Sequence, residues 1–119
     1  MERTIKIGNK EVKLKSTAKT LRLYRNTFER DLLVDMQQLT KRVAENKIIT
    51  DEDLEIFEYV TFVMNSQADE DAPKTIGEWL DTFEVMDIYK ACPKILEMWN
   101  SSNKTQEIPK KKQKTAKDQ

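Results

Sequence analysis

The sequence predicts an α+β fold: an N-terminal β-hairpin packed on a mainly helical domain of four to five helices, followed by a disordered basic C-terminal tail. Apolar residues alternate with polar ones near the N-terminus, recur at helical spacing from about Thr20 to Trp99, and nearly vanish after Trp99. A folded domain over residues 1–99 is the expectation, with the hairpin at about 4–15 and the helices at about 20–99, leaving 100–119 as the tail.

Ile5 and Ile7 flank Lys6, and Val12 and Leu14 flank Lys13, the period-two pattern of two half-buried strands. Gly8, Asn9 and Lys10 lie between them, and Gly and Asn tolerate the positive φ of a tight reversal. A lone hairpin is marginal in water, so its apolar face must rest on other elements. From Thr20 the period changes. Leu21, Tyr24 and Phe28 share one helical face; after a break near Glu29 and Arg30, Leu32, Met36, Leu39 and Val43 form a second stripe.

Thr50 followed by Asp53 is an N-cap signature, and Asp51, Glu52 and Asp53 place negative charge where the helix dipole favours it. The helix that begins there carries Ile56, Phe57, Tyr59, Val60, Phe62, Val63 and Met64, apolar on most of its circumference, which makes it the central one. Gln67 to Lys74, with Pro73, reads as a loop. Ile76, Trp79, Leu80 and Phe83 start a short helix, and Val85, Ile88, Tyr89, Cys92, Ile95, Leu96 and Trp99 continue at helical spacing. Pro93 has no amide proton, so a kink or a fresh helix start is expected there. Beyond Trp99, Ile108 is the one aliphatic side chain apart from Ala116, too little to offset the entropy of ordering that segment.

A chain of 119 residues, 38% hydrophobic and 35% charged, supports one modest core anchored by its two Trp, three Tyr and four Phe. Lys plus Arg and Asp plus Glu balance at 21 each, but unevenly along the chain. Residues 1–25 carry eight basic groups against Glu2 and Glu11, residues 45–87 carry thirteen acids against Lys47 and Lys74, and the tail is basic again. These are either solvated faces or patches that attract a partner or another copy of the chain. The single cysteine, Cys92, excludes an internal disulfide and fits a reducing cytoplasm; no secretion signal or membrane-spanning run is evident.

The absence of histidine removes the commonest general base and transition-metal ligand, and with one cysteine no ordinary zinc site can be assembled. Cys92, on an apolar stripe, reads as a buried structural thiol. Gly8 and Gly77 are the only glycines, so no phosphate-cradling glycine loop can be written. The run Asp51 to Glu55 resembles the opening of a calcium loop, but Ile56 and Phe62 stand where that loop needs Gly and Glu. No catalytic, metal or cofactor residue is assigned, and the expectation is a protein that is not an enzyme. Nucleic acid has only the hairpin and tail lysines to recommend it, without aromatic residues interleaved as stacking platforms.

The succession IKIGNKEVKLKSTAKTLRLYRNTFERDLLVDMQQL, an acidic and aromatic middle, EWLDTFEVMDIYKACPKILEMWNSS and a lysine-rich tail resembles the tail assembly chaperones of long-tailed bacteriophages that infect Gram-positive bacteria. The matched features are an IxIxxKxxxLK hairpin, TLRLYRxxFxRDLL, and IYxxxPxILxxW, over nearly the whole chain. The resemblance implies a non-enzymatic protein of the host cytoplasm, absent from the mature virion. It would bind the tape measure protein and the tail tube subunit, keep the former soluble and promote tube polymerisation. It also implies a longer form made by ribosomal slippage, for which Lys110, Lys111 and Lys112 mark a candidate adenine-rich site.

Within Thr20–Met36, Leu21, Tyr24, Phe28, Leu32 and Met36 read as core, whereas Leu23 and Leu33 fall off these stripes beside Arg22, Arg25 and Arg30. An apolar residue ringed by arginines has the composition of an interface. The candidate partner-binding residues are Arg22, Leu23, Arg25, Arg30 and Leu33, with Lys110, Lys111 and Lys112 of the tail, facing the tape measure protein or a second copy. The alternative is a small phage or host regulator that touches nucleic acid through its basic hairpin and tail.

Overall fold

A computed structural model describes residues 1–45 and 49–104. Strands β1 (Glu2–Ile7) and β2 (Lys10–Lys15) precede helices α1 (Ala18–Phe28), α2 (Leu32–Ala44), α3 (Asp51–Ala68), α4 (Ile76–Leu80) and α5 (Asp87–Lys104). The expected hairpin and five helices are therefore present in order. The expected disordered tail, apart from its first residues, lies outside the described residues.

The strands pair antiparallel with Ile5 opposite Val12, which puts Ile5, Ile7, Val12 and Leu14 on one buried face. Gly8 has φ +64° and Asn9 does not have positive φ, so only the first turn residue needs the left-handed region, as in a type II′ hairpin turn. The hairpin's apolar face lies on α3 through β2 and on α5 through β1.

Helix α3 is the hub, touching β2, α1, α2, α4 and α5. Six consecutive residues, Val60 to Asn65, are buried, which requires neighbours on every side. Its start is a capping box: Thr50 Oγ1 accepts from Asp53 N at 3.2 Å, and Asp53 Oδ2 accepts from Thr50 N at 3.2 Å. Asp53 is itself buried and takes the guanidinium of Arg42 at 2.7 Å, tying α2 to the start of α3.

Rings continue the core across the helices. Phe28 of α1 stacks on Tyr59 of α3 at 4.0 Å between centroids, Phe62 meets Trp79 edge-on at 5.8 Å, and Trp79 meets Phe83 at 4.9 Å. Asn65 joins three parts: its amide nitrogen donates to Lys13 O at 2.8 Å, and its carbonyl accepts from Trp79 Nε1 at 2.9 Å.

Several expectations need correction. Leu21 is exposed and Leu23 is half-buried against the core, because α1 faces inward through Thr20 and Tyr24. The Thr20 hydroxyl donates to Gln67 Oε1 at 2.7 Å, so a polar residue occupies the position that a purely apolar stripe would not assign. Val43, Val85 and Tyr89 are exposed. Helix α5 has no fresh start at Pro93, which lies inside it at an exposed position, and it extends to Lys104, five residues past Trp99.

Candidate protein-docking face

The corner between α1 and α2 is built by two caps. Glu29 adopts the left-handed conformation, φ 57° and ψ 39°, and its N–H returns to Arg25 O at 2.7 Å to end α1. Two residues later the Asp31 carboxylate accepts from Leu33 N and Val34 N at 3.0 and 3.3 Å to open α2. The chain reverses in Glu29–Asp31 and leaves a concavity of ≈ 590 Å³ between the helices, lined by Leu21, Arg22, Arg25, Arg30, Asp31 and Leu33, among others.

Four of the five residues outside the tail that were expected to bind a partner, Arg22, Arg25, Arg30 and Leu33, therefore meet around one depression. Leu23 does not, because it turns inward. Lys110, Lys111 and Lys112 lie outside the described residues. Leu21, which the sequence assigned to the core, lines this depression instead. Val34 is 55% exposed beside Leu33 at 54%, and its signal was visible only as the third of three apolar residues that follow the Asp31 cap.

The arginines are not equivalent. Arg30 makes a bidentate pair with Asp35, Nε to Oδ2 at 2.7 Å and Nη2 to Oδ1 at 3.0 Å. Tyr24 donates its hydroxyl to the same Oδ2 at 2.7 Å. Arg30 is thus a wall of the depression held by an internal carboxylate. Burial first, and then the bond to Asp35, push the Tyr24 phenol well above its ordinary range, while the Asp35 hydrogen bonds raise the Arg30 guanidinium still further. Arg25 has only a loose pair with Asp31 at 3.9 Å, both side chains well exposed, which adds little to stability. Arg22 has no ion pair among the described residues.

A second groove, ≈ 660 Å³, runs between α2 and the end of α5 along Leu33, Met36, Thr40, Lys41 and Trp99. Leu33 lines both spaces. Comparison with protein-family models, curated proteins and solved structures gave no match.

The chemistry available here is recognition: guanidinium donors around an apolar floor. Cys92, elsewhere, is buried and gives its S–H to Ile88 O at 3.3 Å. Burial, and after it the charge of Glu58, push this thiol up to about 12, so it stays protonated as a packing group. Among the described residues no group of three or more His, Cys, Asp or Glu is placed to hold a metal, and no helix is long and apolar enough to cross a membrane.

Proposed function

We propose that this chain is a non-catalytic tail assembly chaperone, acting in the host cytoplasm by covering apolar helices of the tape measure protein until tail tube subunits replace it. The observation that carries this reading is the α1–α2 depression, where Arg22 and Arg25 stand beside the exposed Leu21 and Leu33. An amphipathic helix laid there would bury its apolar residues against these leucines and set its acidic flanks against the arginines. The resemblance in motif order along the chain supplies the client's identity. Modest binding by an open, charge-rimmed surface suits a helper that must be released.

The hairpin lends little to the nucleic-acid alternative. On its outer face Lys15 stands opposite Glu2 and Lys6 opposite Glu11, so the charges largely cancel.

The test is co-expression with the tape measure protein. The wild-type chain is expected to hold it in the soluble fraction, and the double variant Arg25→Glu, Leu33→Glu is expected to lose it while keeping its circular dichroism spectrum. Undiminished capture by that variant, or insoluble client with the wild type, counts against the proposal.

A further inference from the structure

The hairpin has one covered edge and one open edge. The Met1 ammonium donates to Ser16 O and Ser16 N donates to Met1 O, both at 2.8 Å; with Ile5 opposite Val12, this makes the odd-numbered residues of β1 the ones that bond across the ladder. The main-chain N–H and C=O groups of Thr4 and Lys6 on β1, like those of Lys13 on β2, therefore point away from it. On the β2 side Asn65 of α3 donates to the Lys13 carbonyl at 2.8 Å. On the β1 side the outward groups of Thr4 and Lys6 have no partner among the described residues, and both residues are exposed.

Helix α5 runs beside β1 in the opposite direction, with Asp87 against Gly8 and Glu97 paired with Arg3 at 3.6 Å. The helical rise from Asp87 to Glu97 is about 15 Å and the strand from Arg3 to Gly8 about 16 Å, so the two stay in step. Lys90 and Lys94, one turn apart on the exposed side of α5, thus come level with β1, and with Lys6, Gly8 and Asn9 they line a groove of ≈ 430 Å³. None of these three lysines has an ion pair among the described residues. The carboxylates of the groove, Glu84 and Asp87, stand at its turn end, where Asp87 is engaged by Glu84 N at 2.8 Å.

We infer that β1 receives an extended, acidic segment of a partner protein as a third strand. The segment's main chain pairs with the outward groups of Thr4 and Lys6, and its acidic side chains, on alternate residues, face Lys90 and Lys94. The β1 strand of a second copy fits this edge worse, because it would bring the lysines of two α5 helices side by side. Nucleic acid would meet the lysines but offers no strand to Thr4 and Lys6. The groove shares no lining residue with the α1–α2 depression, so the inference stands independently of the proposed client.

The test uses the full chain and a short fluorescent peptide in which valine and glutamate alternate, read by anisotropy. Binding should saturate and weaken with added salt. Methylating the peptide's amide nitrogens on one alternate set of residues should weaken binding by roughly tenfold or more, while methylation of the other set is tolerated, because a strand turns only every second amide to its neighbour. Lys90→Glu with Lys94→Glu, and separately Thr4→Pro, which deletes one outward N–H and leaves the ladder bonds in place, should each cause a similar loss. Circular dichroism and thermal melting confirm that the variants fold; if Thr4→Pro does not, the methylated peptides against the wild type decide alone. No saturable binding, equal affinity for both methylated peptides, equal affinity for a peptide with lysine in place of glutamate, or a single-stranded oligonucleotide bound more tightly than the peptide would each overturn the inference.

Discussion

Replacing Asp35 by alanine removes the acceptor on which Tyr24 and Arg30 converge. The Tyr24 side chain is fully buried, so its hydroxyl would be left without a partner, at a cost of about 1–3 kcal/mol. Arg30 also loses its bidentate acceptor. Its side chain is 39% exposed and would rehydrate, so this second loss is discounted to about 1 kcal/mol. Against both stands the relief of no longer burying a carboxylate. The net expectation is a loss of about 2–3 kcal/mol, a sizeable part of the roughly 5–15 kcal/mol that holds a domain folded. Urea unfolding followed by the fluorescence of the buried Trp79 and Trp99 measures it. Tyr24→Phe alone should cost about 1 kcal/mol, and the double variant should cost less than the sum, with a coupling of about 1 kcal/mol. An Asp35→Ala variant within about 0.5 kcal/mol of the wild type, or strict additivity with Tyr24→Phe, would refute the reasoning.

Gly8→Ala should destabilise by about 2 kcal/mol in the same urea titration, because a non-glycine residue at φ +64° is strained and its Cβ would drive the Asp87 carboxylate off Glu84 N; an unchanged midpoint would contradict this. Pro93→Ala should raise the melting temperature by about 5 °C, since an amide restored at an exposed point of α5 can reach the Tyr89 carbonyl, and calorimetry showing a fall would exclude it. Cys92 should resist thiol-specific reagents at neutral pH in the folded protein and react at the rate of unfolding. Its thiol is raised from 9.0 to about 12 on folding, so the unfolded chain loses that proton first; stability is intact below pH 9 and declines as pH rises toward 12. Tyr24, also raised, adds loss in the same direction above pH 10. Cys92→Ala should flatten the pH 9–12 slope, as read from unfolding free energies at several pH values.

The elements were legible wherever a period or a cap identified them. Alternation around Ile5–Ile7 and Val12–Leu14 marked the strands, and Thr50 with Asp53 marked the start of α3 in both residues of its capping box. Directions within short helices were less so. A stripe of three residues, Leu21, Tyr24 and Phe28, in the 11-residue α1 leaves its inward face uncertain by a residue or so, and Thr20, whose hydroxyl finds Gln67 in α3, decided it against Leu21. The docking face was legible as composition but not as geometry. The pair of Arg30 with Asp35 spans the reversal at Glu29–Asp31, and only that turn brings the guanidinium onto a carboxylate of the next helix. Arg42 with Asp53 and Asn65 with Trp79 are likewise long-range partnerships that local spacing does not encode. Val85 was read as part of a buried stripe because its spacing to Ile88 is helical, yet it precedes α5 and lies outside its register.

A two-stranded ribbon and a five-residue helix are each too short to persist in isolation, yet the carboxamide of Asn65 clasps both, one through the Lys13 carbonyl and the other through the Trp79 indole. Fraying at either extremity consequently strains the other. Amide protons in the ribbon and in α4 should exchange with deuterium in concert with the middle of α3, as a single cooperative unit whose opening unlatches both ends at once.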